Sequence, residues 1–197
     1  MTYDLIFALL GFAFVTSVTP GPNNMMLLAS GVNFGFARTV PHMLGISIGH
    51  SLMVFLVGIG LAGVMQAWPP AMTVLKVASV AYMLWLAWKI ANSAAPGQGK
   101  PAARPFNFFQ AAAFQWVNPK AWAMALGAIS AYAGDGQMAS VAIVAAVFAS
   151  VNLPSVAVWA AAGEALRGWL TDPARLRAFN WTMAGLLVLS LIPVLRM

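Results

Sequence analysis

Long apolar segments separated by short polar ones run through the chain, and this pattern predicts membrane-spanning helices. About 20 consecutive, mostly apolar residues are needed to cross the hydrocarbon core of a bilayer as a helix. Because helices satisfy their own backbone hydrogen bonds in lipid, the pattern predicts an all-α integral membrane protein with six transmembrane helices. The six segments lie at about residues 5–34, 41–65, 71–90, 106–133, 138–163 and 178–195.

The first apolar segment contains a proline motif, TPGPNN, near its middle. Proline lacks an amide donor, clashes with the preceding turn, and pushes the residue before it towards extended backbone. The motif therefore predicts a break in the first helix. Non-helical backbone survives at membrane depth only where it is buried in protein or lines a cavity, so we expect the break to form part of a site. Its residues are Thr19, Pro20, Gly21, Pro22, Asn23 and Asn24.

A second motif, NPK at Asn118, Pro119 and Lys120, breaks the fourth segment about half a chain length later. With three spans in each half, the second half enters the membrane from the opposite side. This arrangement is an inverted repeat, in which broken helices meet near the bilayer midplane to form a transport site. We therefore predict a single domain with repeat one at about residues 1–92, a linker at 93–105 and repeat two at 106–197.

Composition supports a membrane protein and explains the positive charge. Hydrophobic residues make up 61% of the chain and charged residues 7%, with a mean hydropathy of +0.83, whereas soluble domains carry about 25% charged residues. The net charge of +6 reflects loop residues that set orientation and does not indicate nucleic acid. The residues concerned are Arg38, Lys89, Lys100, Arg104, Arg167, Arg175 and Arg177 on one side, against Arg196 on the other.

This charge bias predicts the orientation in a bacterial-type inner membrane. The loops after spans one, three and five carry the excess of Lys and Arg, so we expect them to be cytoplasmic and both termini to face outwards. Arg38 is assigned to the first of these loops. Residues 164–177 are assigned to a charged loop with a short interfacial helix over residues 166–170.

The helix ends beside the breaks form the predicted binding site. The N–H groups near Asn23, Asn24 and Met25 lack helical acceptors, and the helix dipole at that end attracts an anion such as a carboxylate. The side chains of Asn23, Asn24 and Asn118 either contact the ligand or cap the breaks. Asn152, near the middle of span five, is a further pocket candidate.

Lys120, His50 and Lys76 are titratable groups within the spans and are candidates for proton coupling. Lys120 opposes a helix dipole at a costly depth, so we expect either carbonyls freed by the break or an incoming carboxylate to compensate it. His50 is either a proton relay or a histidine packed between helices. Lys76 either extends to the outer surface or has a functional role. His42 is predicted to lie at the membrane interface.

The positions of the acidic residues and the absence of cysteine exclude several functions. Asp4, Asp135, Glu164 and Asp172 fall at span ends or in loops, and the chain has no cysteine. A divalent metal would therefore lack its usual ligands, and no cofactor is predicted. Two separated histidines without paired acids form no convincing hydrolytic site, so we do not expect an enzyme.

At these motifs the sequence resembles the LysE/RhtB family of amino-acid exporters. The similar stretches are TPGPNN, ASGVNFGFARTVPHMLGISIG at residues 29–49, LKVASVAYMLWLAWKI at 75–90 and QWVNPKAW at 115–122. The resemblance covers essentially the whole chain. It implies export of amino acids or close derivatives from the cytoplasm, driven by proton exchange. The family motifs fall on Thr19, Pro20, Gly21, Pro22, Asn23, Lys76, Asn118, Pro119 and Lys120, whereas His50 lies outside them.

The sequence thus predicts a secondary transporter for amino acids, with protons and the lipid bilayer as its other partners. Because no buried acid is available for a basic side chain, neutral or apolar amino acids are favoured. Two alternatives stay open: an exporter of small cations or metal ions, and a non-transporting membrane assembly partner. The sequence also permits a homo-oligomer.

Overall fold

Helices account for every regular element in the part of the chain that the computed structural model describes, which is residues 1–61, 63, 67, 70–93, 104–134 and 136–192. This confirms the all-α prediction. The eight α-helices of these ranges are α1 (Tyr3–Val18), α2 (Pro22–Phe34), α3 (Phe36–Leu56), α4 (Pro70–Ala91), α5 (Phe108–Phe114), α6 (Pro119–Tyr132), α7 (Met138–Arg167) and α8 (Pro173–Leu189).

The longest helices have the length and composition of membrane spans. Three continuous stretches qualify, at Phe36–Leu61, Thr73–Ala91 and Met138–Arg167. The helices α1 and α2 form a fourth candidate, a span bent by 54° at the first proline motif. Helices α5, α6 and α8 contain 7, 14 and 17 residues and are shorter than a typical span. Helix length in the described residues therefore gives three or four crossings.

Two segments that the sequence assigns to loops are helical, and these predictions are wrong. Helix α3 begins at Phe36, with one residue between it and the end of α2, so Arg38 lies in its first turn and Pro41 inside it. Gly35 alone joins the two helices with a φ of 83°, a conformation that favours glycine. Charge does not end a helix, because arginine and glutamate are good helix formers.

The second of these segments is the charged stretch at residues 164–177. Helix α7 continues to Arg167, so Glu164 lies in its last turn. A 3₁₀ turn at Trp169–Thr171 and the start of α8 occupy the rest, instead of a short interfacial helix. Most of the turn at residues 66–70, most of the linker at 93–105 and the end of the sixth segment fall outside the described residues.

The ends of several helices meet at one end of the bundle. Asn33 of α2 donates through Nδ2 to Asn180 Oδ1 of α8 at 3.5 Å, and Asn180 Nδ2 donates to Ser93 O after α4 at 3.2 Å. Gly35 lies beside the Arg167 and Glu164 side chains of α7. The connections after α2, α4 and α7 therefore lie together, as the charge pattern requires of loops on one side of a membrane.

Helix α7 is the centre of the packing and contacts α1, α2 and α3. Gly31 of α2 and Gly163 of α7 let the two backbones approach closely. A Cβ at Gly31 would lie 2.2 Å from Ala160 O, which leaves no room for a larger residue. One apolar cluster joins α1, α3, α6 and α7, and another joins α2, α3, α5 and α7. Along the chain, each proline motif lies between residues of the two clusters.

Candidate functional site

A small polar cavity lies where the two helix breaks meet. Its volume of about 20 Å³ suffices for about one water molecule, which needs roughly 10–15 Å³ on the same measure. Helices α1, α2, α3, α6 and α7 all contribute to its lining. The sequence-predicted residues that line it are Gly21, Asn23, Asn24, His50, Asn118, Lys120 and Asn152.

The first break frees the carbonyl groups at the C-terminal end of α1, and side chains from other helices satisfy them. Asn24 Nδ2 donates to Ser17 O at 2.9 Å and to Thr19 O at 2.7 Å. Trp159 Nε1 of α7 donates to Val18 O at 3.0 Å. Since unpaired backbone groups at membrane depth cost several kcal/mol, these hydrogen bonds stabilise the break.

Lys120 reaches across from α6 to the first break. Its Nζ donates to Thr19 O at 2.7 Å, to Thr19 Oγ1 at 2.9 Å and to Pro20 O at 3.3 Å. An ammonium group has three donors, and these acceptors match them. A Cβ at Gly21 would lie 2.7 Å from Lys120 Cδ, so the glycine makes room for the lysine. The sequence predicts that either freed carbonyls or an incoming carboxylate offsets the charge of Lys120. The structure contains the freed carbonyls.

A reciprocal pair of amides forms a second link between the breaks. Asn23 Nδ2 donates to Gln115 Oε1 at 2.9 Å, and Gln115 Nε2 donates to Asn23 Oδ1 at 3.1 Å. Gln115 is completely buried and was not among the sequence-predicted residues. The signal that could have identified it is an amide residue inside the predicted fourth span, three residues before the NPK motif, because polar side chains inside spans are rare and functional.

The second break is closed mainly by local hydrogen bonds. Asn118 Oδ1 accepts from the Lys120 N–H at 3.1 Å and caps α6. Trp122 Nε1 donates to Trp116 O at 2.9 Å. Pro119 begins α6, where the missing N–H removes no helical hydrogen bond. The capping role considered for Asn118 is therefore present in the structure.

The N-terminus of α2 differs from that of α6, because no described side chain caps it. Pro22 is its first residue. The Met25 N–H donates to Gly21 O at 2.9 Å, so the prediction that this group lacks an acceptor is wrong. The N–H groups of Asn23 and Asn24 remain at the positive end of the helix dipole, which attracts anions.

His50 and Asn152 bring unpaired polar atoms to the cavity. Asn152 Nδ2 donates to Ser17 Oγ at 3.1 Å, whereas its Oδ1 has no hydrogen-bond partner among the described residues. Neither ring nitrogen of His50 has one. The imidazole packs edge-on against Phe148 of α7, with 5.1 Å between ring centroids. These atoms are free to bind a water molecule or a ligand.

Two other candidates lie apart from the cavity. Lys76 lies on α4, which contributes no residue to the described lining. His42 is buried among the helices with 2% exposure, so its side chain does not face lipid or water. Within the described ranges no three His, Cys, Asp or Glu side chains are grouped as a metal site would require.

Polar groups between broken helices at the centre of an apolar helical bundle are typical of membrane transporters, and comparison with known proteins agrees. The LysE type translocator model matches residues 14–192. The cysteine/O-acetylserine efflux protein of Klebsiella pneumoniae is 30% identical over 190 residues, which is 95% of each chain. Proteins of the same name from Escherichia coli and Shigella flexneri are 35% identical over 133 residues, 67% of each chain. No solved structure matches the chain.

The protein therefore belongs to the LysE type translocator family, which confirms the resemblance read from the motifs. It is a membrane transporter and not an enzyme.

Proposed function

We propose that this translocator exports small neutral amino acids or close derivatives from the cytoplasm in exchange for protons. The observation that carries the proposal is the bond between the two breaks, in which Lys120 Nζ contacts Thr19 O, Thr19 Oγ1 and Pro20 O. It brings a cation, freed carbonyls and an uncapped helix end into one polar cavity. Those groups complement the carboxylate and ammonium of an amino-acid zwitterion.

The proposed topology is six spans in two inverted repeats, at residues 1–92 and 106–197. Each half contains a broken helix followed by a long one: α1–α2 then α3, and α5–α6 then α7. The contact between the breaks supports a pseudo-symmetric pair. The common end shared by Arg167, Gly35 and Ser93 would be cytoplasmic, with both termini outside.

The substrate carboxylate would bind at the N-terminus of α2, near Asn23 and Asn24, and to Lys120. To do so, Lys120 exchanges carbonyl acceptors for the carboxylate, and Asn152 Oδ1 accepts from the substrate ammonium. The cavity of about 20 Å³ must enlarge to admit an amino acid, so we assign the structure to a closed, substrate-free conformation.

Two observations favour a neutral substrate. The described lining of the cavity contains no Asp or Glu that could pair with a basic side chain. The similar proteins from Klebsiella and Escherichia are named for cysteine and O-acetylserine, both of which are small and neutral. For the proton, His50 and Lys120 line the cavity and are stronger candidates than Lys76.

Transport by purified protein in proteoliposomes tests this proposal. Counterflow of labelled cysteine, O-acetylserine, serine, leucine and lysine should show exchange of the small neutral members, and an imposed pH gradient should drive net movement. Lys120→Met and Asn118→Ala should both reduce exchange.

Lys89→Met is the matched control, because Lys89 lies on α4 against Trp85, outside the cavity, and should transport normally. If no amino acid exchanges in a folded preparation, the exporter function is wrong. If Lys120→Met and Asn118→Ala exchange as fast as the wild type, the site is wrong.

A further inference from the structure

Helix α3 carries a row of buried polar side chains from its N-terminal end to the cavity. Thr39, His42, Ser47, His50 and Ser51 all have 9% exposure or less. In a membrane helix such side chains are costly, face the interior of the bundle and mark pathways for ions or protons. The proposed substrate site includes only His50 from this row, and it gives no role to the other four residues.

The two histidines of this row share an unusual property. Each is 2% exposed, and none of their four ring nitrogens has a hydrogen-bond partner among the described residues. Buried polar atoms are normally paired. His50 lines the cavity, and His42 lies eight residues earlier, about 12 Å along the helix.

One hydroxyl of this row, that of Ser47, lies between the two histidines along α3, and Ser51 follows His50. Ser47 Oγ donates to Ala149 O of α7 at 3.3 Å, and Ser51 Oγ donates to Ser47 O at 2.9 Å. On the far side of His42, Ser30 and Thr39 share a hydrogen bond of 2.8 Å. While it donates to a carbonyl, Ser47 Oγ can still accept from a water molecule, and a relay requires such water across the 12 Å interval.

Different groups surround the two histidines. Across the cavity His50 faces the ammonium of Lys120 and the neutral amides of Asn24 and Asn152. His42 packs against Phe106, with 5.3 Å between ring centroids.

Charged groups near His42 lie at the proposed cytoplasmic end. Lys89 Nζ of α4 is 5.9 Å from the Phe106 ring. Arg38 is one turn earlier on α3, and Glu164 and Arg167 of α7 lie beside Gly35. His42 is thus the imidazole nearer the cytoplasmic surface.

We propose that His42 is a proton-relay residue that connects His50 and the substrate cavity with the cytoplasm. The inference rests on the proposed function of proton-coupled export. A neutral imidazole takes a proton on one ring nitrogen and releases another from the opposite nitrogen, so each histidine returns to its starting charge after a transfer. During export, a proton from the outside reaches His50, crosses to His42 and leaves to the cytoplasm.

The relay predicts that His42 affects net proton-coupled transport but not substrate exchange. Full-length wild type and His42→Gln are reconstituted with pyranine inside the vesicles, and the probe is the labelled amino acid that the wild type exchanges fastest in the panel. In H42Q, transport driven by the pH gradient and the accompanying pyranine signal should fall about tenfold or more, while counterflow at equal pH stays within about twofold.

Phe106→Leu is the control, because it alters packing around His42 without removing a titratable group, and it should keep both activities. Retained counterflow shows that H42Q is folded, and H42N offers a second neutral replacement. Wild-type pH-driven transport by H42Q would overturn the relay, as would an equal loss of counterflow in both His42 variants. Failure of the wild type to exchange any amino acid would instead overturn the proposed function.

Discussion

The two helix breaks look alike in sequence but use their hydrogen bonds in opposite ways. At the first break, Thr19 O and Pro20 O accept from Lys120, which lies in the other half of the chain. At the second break, Asn118 and Trp122 close the chain with bonds to residues 120 and 116, within a few positions. The backbone of the first break receives donors from other helices, whereas the backbone of the second is capped locally and the Gln115 side chain beside it bonds to Asn23.

The difference shows how the proposed inverted repeat would form an asymmetric site. Two equal breaks would present the same groups to a ligand, yet a zwitterion has two different ends. Here the second break supplies a lysine, and the first supplies carbonyls and a helix N-terminus without a side-chain cap. One cavity therefore contains groups for both charges.

The largest effect is expected from removing the donor that joins the breaks. Lys120→Met keeps an unbranched side chain, one atom shorter, but leaves Pro20 O and Thr19 Oγ1 without this partner. We expect exchange to fall about 100-fold, since hydrogen bonds to charged groups contribute about 1.5–3 kcal/mol. Counterflow rates at saturating and limiting substrate measure the loss, and wild-type rates would show that the breaks act independently.

A smaller effect is expected from displacing the same lysine without removing it. In Gly21→Ala the new methyl group would lie 2.7 Å from Lys120 Cδ and 3.1 Å from its Nζ, so the flexible side chain must shift. Transport should fall about tenfold while the protein stays folded. Gly11→Ala, which has nothing within 4 Å, is the matched control, and equal rates for the two variants would contradict the close fit.

Replacing one asparagine at each break should lower the free energy of unfolding more at the first break than at the second. Asn24→Ala removes a buried donor from Ser17 O, which should lower the free energy of unfolding by about 1–3 kcal/mol. Asn118→Ala removes a local cap, which costs about 1 kcal/mol. Unfolding in detergent measures both, and a larger loss for Asn118→Ala would reverse the comparison.

The smallest effect concerns a local cap outside the membrane spans. Asp172 Oδ1 accepts from the N–H groups of Arg175 and Ala174 at the start of α8, and these bonds hold its pKa below the ordinary 3.8. A lowered pKa in the folded state means that the stabilisation is complete above 3.8 and is lost as pH falls through the folded value. The difference in Tm between wild type and Asp172→Asn should shrink in acid, and a constant difference would exclude this cause.

The breaks were predictable because proline chemistry is local. The residues around Pro20 and Pro119 identified two interrupted helices, and the cost of a mid-span lysine predicted that Lys120 would need acceptors. The partners were not predictable, because Gln115 and Asn23 are 92 residues apart and Trp159 and Val18 are 141 residues apart. Such pairings depend on packing that the local sequence does not determine.

Helix boundaries and burial were less predictable than the breaks. Arg38 and Glu164 were assigned to loops because they are charged, yet both lie in helical turns at the end of the bundle. His42 was assigned to the interface from its distance to the span edge. Helix α3 starts earlier than its apolar pattern suggests, which places His42 in the second turn, and His42 is buried there.

The single-residue connection at Gly35 has a mechanical consequence. Helix α2 has 13 residues and is therefore a rigid arm about 20 Å long. One end of this arm meets α3 at Gly35, and the other end carries the proposed carboxylate site. Because Gly35 is the single residue between the two helices, its two backbone angles set the direction of α2 relative to α3, which carries His42 and His50.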